Sequence, residues 1–213
     1  MALGAVLAAA SLYVLRTEHQ PPGEIALTVP TSNARFTWQH AGGAWPRGAV
    51  QSSFRLQVMP ANGTAPVYDS GERGGGAQHL ELSPNVMLMA GADYAWRVRA
   101  AVAGGAAAAW SAPLNFTTAP SSWSGAQWIG GRNQLRSSFT LPSRPTRARA
   151  YVSGLGAFYL YVNGQRVGDH VLDPPQTVYP KRVDYMAFDV LPLLTSGENV
   201  VGALLGNYKW GYV

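Results

Sequence analysis

Apolar and polar residues alternate with a period of two in several short stretches of the chain. From Ala157 to Val162, the apolar Phe158, Leu160 and Val162 alternate with Tyr159 and Tyr161. Successive side chains of a strand point to opposite faces of its sheet. The pattern therefore predicts a strand with the first three residues on one face and both tyrosines on the other. Asn163-Gly164 follows at once, and Gln165, Arg166 and Val167 start a return strand. Asn-Gly suits a type I′ hairpin turn, because that turn needs positive φ at both central residues. The same alternation recurs at Ser53 to Met59, where Phe54, Leu56 and Val58 oppose Arg55 and Gln57. It recurs again at Tyr94 to Ala100, where Tyr94, Trp96 and Val98 oppose Arg97 and Arg99. Further strands are predicted near Ile25 to Val29, Ala34 to Trp38, Val67 to Asp69, Gln78 to Leu82, Leu114 to Thr118, Leu135 to Leu141, Arg147 to Val152, Val183 to Val190 and Val200 to Leu205. Ala106 to Ala109 favours helix by composition but is too short to hold one, and it reads as a hairpin loop.

These elements predict an all-β chain of two consecutive β-sandwich modules. Residues 1–20 are a possible signal segment or unstructured start, residues 21–119 the first sandwich, and residues 120–213 a second, incomplete one. A linker rich in Ser, Pro and Gly, Pro120 to Gly125, separates the two. Trp38, Trp96 and Trp110 lie in or beside strands with apolar partners, where a large ring is worth most as core. The run YAWRVRA, followed by WS and a final FTT, resembles a fibronectin type III domain. Such modules space, dock or bind.

Composition narrows the function classes. The chain has 213 residues, of which 24 are Gly and 15 Pro, which suits a loop-rich β protein. The formal net charge of +5 is spread over scattered residues without a Lys/Arg run, so the surface is mildly basic and carries no nucleic-acid footprint. With no Cys, thiolate catalysis, disulfides and Cys-based zinc sites are excluded. The apolar run Ala2 to Leu15 has the length of a signal-peptide core and is too short for an ordinary membrane span, yet basic residues do not precede it. This favours a secreted location over a cytoplasmic one and gives no clear sign of membrane attachment.

The second module carries the most specific pattern. The string WIG at Trp128 to Gly130, then LRSSFTL, and then RARAYVSGLGAFYLYVNGQRVGDHVLDPPQTVYPKRVDY closely resembles the N-terminal non-catalytic region of bacterial-type α-L-rhamnosidases. That family has a jelly-roll-like sandwich here, after a fibronectin-like module. Its usual PRFSW is ARFTW in this chain, at Ala34 to Trp38. The resemblance implies an accessory portion of an inverting glycoside hydrolase that releases terminal α-L-rhamnose. The implied partners are a downstream (α/α)6 catalytic barrel and rhamnose-containing glycans. The family's catalytic carboxyl groups belong to that barrel, so the resemblance transfers no catalytic residue. A jelly roll needs about eight strands, and fewer than that are recognisable from Leu135 onward, hence the expectation that the second sandwich is incomplete.

Two further sets of residues invite chemistry. Tyr159 and Tyr161, on the face opposite the Phe158 stripe, are candidate carbohydrate-binding residues, together with Tyr179, Tyr208 and Trp210. Sugar sites combine a flat ring with fixed polar groups. The alternative is that these aromatics cover the catalytic barrel. Asp169, Asp173 and Asp184 are candidate ligands for calcium, a hard cation that wants several oxygens. Each also has an ordinary place in a turn; Asp173, for example, precedes Pro174 and can cap that turn through its own backbone. No cofactor is required by either reading.

Overall fold

A computed structural model describes residues 13–41, 45–123 and 125–206. The chain divides into two compact units between Trp123 and Ser124, inside the expected linker. Both units are β-structures. Among the described residues no helix is long and apolar enough to cross a membrane.

Among the described residues the first unit holds nine strands: β1 (Tyr13–Thr17), β2 (Ala26–Val29), β3 (Arg35–His40), β4 (Gln51–Pro60), β5 (Tyr68–Asp69), β6 (Arg73–Gly74), β7 (His79–Glu81), β8 (Asp93–Val102) and β9 (Leu114–Thr118). One sheet runs β1-β3-β7; the other runs β2-β9-β8-β4-β5, with β6 also paired to β4. The alternation predicted for β4 and β8 places Phe54, Leu56, Val58, Trp96 and Val98 in a core shared with Phe36 and Trp38 of the opposite sheet. Both buried indoles satisfy their N–H groups, which would otherwise be costly to desolvate. Trp38 Nε1 donates to Gln51 Oε1 at 3.0 Å and Trp96 Nε1 to Thr17 Oγ1 at 2.9 Å.

Two expectations for this unit are corrected, and one feature is new. The module extends upstream of Pro21: β1 pairs antiparallel with β3 and buries Tyr13, Leu15 and Thr17. Its alternation was hidden in an apolar run. Strand β2 pairs parallel with β9, an arrangement no local pattern announces. Trp110, expected in the core, is only half-buried. The guanidinium groups of Arg97 and Arg99 lie over its ring, at 4.6 and 5.1 Å from the centroid. Trp110 therefore carries a cation–π ladder on the sheet surface.

The polar face of β4 is also ordered. Asp69 accepts from Arg55 Nε at 2.8 Å and Nη2 at 2.7 Å, from Gln57 at 2.7 Å and from the Gly71 amide at 2.9 Å. The Arg55 hydrogen bonds in particular hold its carboxyl well below the usual carboxylate range, against the opposing effect of burial. Because the folded pKa lies below the unfolded one, the stability this group contributes is complete above about pH 4 and is lost as the pH falls further. Asp69→Asn should lower the melting temperature by a few degrees at pH 7. The gap to wild type should shrink on acidification below pH 4, as thermal melts across pH would show; a gap independent of pH would refute the assignment.

The second unit holds β10 (Gln134–Leu141), β11 (Arg149–Ser153), β12 (Ala157–Val162), β13 (Gln165–Arg166), β14 (Tyr185–Asp189), a short 3-10 turn (Leu191–Leu193) and β15 (Gly197–Gly206). A four-stranded sheet runs β10-β15-β12-β13, and β11 pairs with β14 as a second layer. Phe158, Leu160 and Val162 face inward as predicted and pack with Val167, Phe188, Val190 and Leu194. The Asn-Gly turn takes the expected form, with φ of 50° at Asn163 and 78° at Gly164. Strand β15 begins earlier than expected, at Gly197. Asn199 explains this: it is fully buried and ties Thr195 and Gly197 to the strand through its side chain. The two-stranded layer is narrower than the four-stranded one. Phe139 of β10 pairs with the inward-facing Asn199 yet remains 39% exposed, so among the described residues this sandwich is covered only in part.

Candidate functional site

The outer face of the four-stranded sheet is set by the β12 alternation. Antiparallel register places Tyr161 opposite Gly202 of β15 and opposite Arg166 of β13, and Gly202 opposite Arg136 of β10. One row across four strands therefore reads Arg136, Gly202, Tyr161, Arg166. The adjacent row reads Gln134, Leu204, Tyr159. Neighbouring strands lie about 4.8 Å apart, and the missing side chain at Gly202 leaves a notch between Arg136 and Tyr161. A shallow groove of 390 Å³ follows this notch, lined by Arg136, Tyr161, Val200, Gly202 and Leu204 among others.

The two predicted tyrosines differ in availability. Arg166 places its guanidinium 4.1 Å from the Tyr159 ring centroid and donates to the His170 carbonyl, so Tyr159 is capped. Tyr161 is half-buried and lines the groove. Tyr179 sits away from both: its hydroxyl accepts from the Gly156 amide at 3.0 Å and anchors the loop 168–184 to the turn before β12. Tyr208 and Trp210 lie outside the described residues.

The three aspartates are not brought together. Asp173 Oδ2 meets His170 Nδ1 at 3.1 Å, and Asp184 Oδ1 meets Arg182 Nε at 3.1 Å. Asp169 is exposed. Among the described residues no three His, Cys, Asp or Glu side chains are placed to hold a metal ion. The backbone of Asp173 does more than its carboxylate does, since its carbonyl accepts from Phe158 N at 2.8 Å.

Sequence reasoning missed Arg136, Gly202 and Arg166 as site residues. One signal was present: a glycine inside the apolar run Val200 to Leu205, which in a strand marks a bulge or a close approach. A second groove, of 520 Å³, lies along the 127–131 segment and the 152–158 turn. Trp128 and Ile129 are 66% and 74% exposed beside it. Its lining has no charged side chain; Gln127 and Ser153 supply its polar side chains.

Comparison with known proteins gives two family matches. Residues 12–122 match the Rha78A-like N-terminal immunoglobulin domain, and residues 143–212 match the alpha-L-rhamnosidase N-terminal domain. A curated alpha-L-rhamnosidase of Formosa agariphila is 30% identical over 58% of this chain and 16% of its own length. The solved alpha-L-rhamnosidase of Dictyoglumus thermophilum is 26% identical with a TM-score of 0.83, covering 94% of this chain and 25% of its own. That of Aspergillus terreus is 26% identical with a TM-score of 0.73, covering 90% of this chain and 23% of its own. The chain thus spans a quarter or less of the length of these three alpha-L-rhamnosidases.

Proposed function

We propose that this chain, which belongs to the family of Rha78A-like N-terminal immunoglobulin domains and continues into an alpha-L-rhamnosidase N-terminal domain, is the non-catalytic accessory portion of an alpha-L-rhamnosidase-like glycoside hydrolase. The observation that carries this is the superposition of 94% of the chain on one quarter of a solved alpha-L-rhamnosidase. The whole protein cleaves terminal α-L-rhamnosidic bonds with inversion. That chemistry needs a protonated carboxyl group for the leaving oxygen and a carboxylate to activate water, roughly 6.5–9.5 Å apart. The catalytic barrel supplies both.

The part of the second unit that meets the barrel is the loop 168–184. Val171, Leu172 and Val178 project from it at 62%, 60% and 63% exposure. The loop is held by the Tyr179 hydroxyl and by the Asp173 carbonyl, so it presents these aliphatic groups on an ordered backbone. Contact with the barrel would take these aliphatic groups out of water.

Two measurements test the reading. The chain alone should leave 4-nitrophenyl α-L-rhamnopyranoside intact. The protein from the complete gene should hydrolyse it, with β-L-rhamnose as the first product by proton NMR. Turnover by the chain alone, or a first product of retained configuration, would contradict it.

A further inference from the structure

Gly202 has no conformational reason to be glycine. Its φ is not in the left-handed region. A Cβ there would meet Leu135 O at 3.5 Å and Tyr161 Cβ at 3.9 Å, both ordinary contacts. Glycine weakens a strand interior, and where the backbone does not demand it, it marks a place where something approaches closely. What it leaves open is the notch between Arg136 and Tyr161. Arg136 is exposed, and among the described residues its guanidinium has no ion pair or side-chain hydrogen bond. Arg166, at the far end of the row, donates to the His170 carbonyl. The acidic group on this face, Glu198, stands opposite Thr140, two rows away along β15.

We propose that the notch over Gly202 is a subsite for a sugar residue bearing an anionic group, its ring against Tyr161 and its carboxylate or sulfate on Arg136. A tyrosine ring provides the flat apolar surface a pyranose stacks on. The arginine fork matches the geometry of a carboxylate or sulfate and gives a charge-assisted bond. The excess of basic over acidic residues, +5 for the chain, favours such a ligand on approach. The site is separate from the accessory-portion reading, because binding is measured on this chain without any catalysis.

Amide chemical-shift titration of the full chain tests it with three probes: digalacturonate, a sulfated carrageenan disaccharide and neutral cellobiose. At least one anionic probe should bind roughly tenfold more tightly than cellobiose, with shifts centred on Gly202 and Arg136. Preference for digalacturonate or for the sulfated probe identifies which anion the site takes. Gly202→Val should keep the melting temperature and weaken binding about tenfold or more, since it fills the notch with a good strand former. Arg136→Gln should weaken it similarly, whereas Arg144→Gln, an equal change of net charge at an exposed loop position, should not. The proposal is overturned if neither anionic probe exceeds cellobiose. It is equally overturned if Gly202→Val binds like wild type, or if Arg144→Gln costs as much as Arg136→Gln.

Discussion

A chain truncated through Thr17 should lose the cooperative melting of its first unit. Strand β1 buries Tyr13 and Leu15 in the core, at 3% and 8% exposure. It also satisfies polar groups on the opposite sheet. Thr17 Oγ1 accepts from the Trp96 indole, and the Tyr13 hydroxyl accepts from the Ala100 amide at 2.9 Å. Burial pushes the Tyr13 phenol up, so it stays a neutral hydroxyl at physiological pH. Burying one large apolar side chain stabilises by about 1.5–3 kcal/mol, and each orphaned buried donor costs about 1–3 kcal/mol. The combined loss is on the order of 5–10 kcal/mol, comparable to the whole stability of a small domain. Near-UV circular dichroism should show the loss of the fixed environments of Trp38 and Trp96. Thr17→Val, which keeps the shape and removes only the acceptor, should cost about 1–3 kcal/mol. An unchanged near-UV spectrum and melt in the truncated chain would show that β1 is dispensable.

The corresponding point in the second unit is Asn199. Its side chain is fully buried. The Oδ1 atom accepts from Asn163 Nδ2 at 2.9 Å and from the Thr195 amide at 3.0 Å. The Nδ2 atom donates to the Thr195 and Gly197 carbonyls at 2.9 and 3.0 Å. Asn163 in turn accepts from the Val200 amide and donates to the Leu193 carbonyl, both at 2.8 Å. One buried residue thus joins the Asn-Gly hairpin to the start of β15. Asn199→Ala leaves these partners without compensation and should destabilise the unit by about 3–5 kcal/mol. Amide exchange separates this from a general effect. Protection in β12 and β15 should fall while that in β4 and β8 persists. Equal protection in β12 and β15 of variant and parent would show that water replaces the network.

The two Asn-Gly pairs show how far local sequence reaches. At 163–164 the pair joins strands in tight register, Val162 opposite Gln165, and both residues take positive φ. At 62–63 neither residue does. There the Gly63 amide closes on the Pro60 carbonyl at 2.9 Å, and the chain makes a wider loop, resuming pairing at Val58 with Tyr68. The dipeptide permits a type I′ turn, and the register of the flanking strands decides whether it is used. Trp110 teaches the same lesson from side-chain packing. An alanine run precedes it in sequence, but Arg97 and Arg99 reach it from β8.

Fold class and the inward and outward faces of the strands were legible in the order of residues alone. Period-two alternation is a property of the extended backbone, so it correctly placed Phe158, Leu160 and Val162 inside and Tyr159 and Tyr161 outside. The ordered motif from Gly154 to Tyr185 was long enough to indicate the family. Which residues meet depends on strand pairing over long sequence separations. Residues 136, 161, 166 and 202 come from four strands, and only the pairing of β10, β15, β12 and β13 sets them in one row. Register is set by non-local packing and turn geometry, and a shift of one residue would send every outer side chain to the core. That is why Tyr161 was legible as an outward-facing ring, while its place beside Gly202 and Arg136 was not.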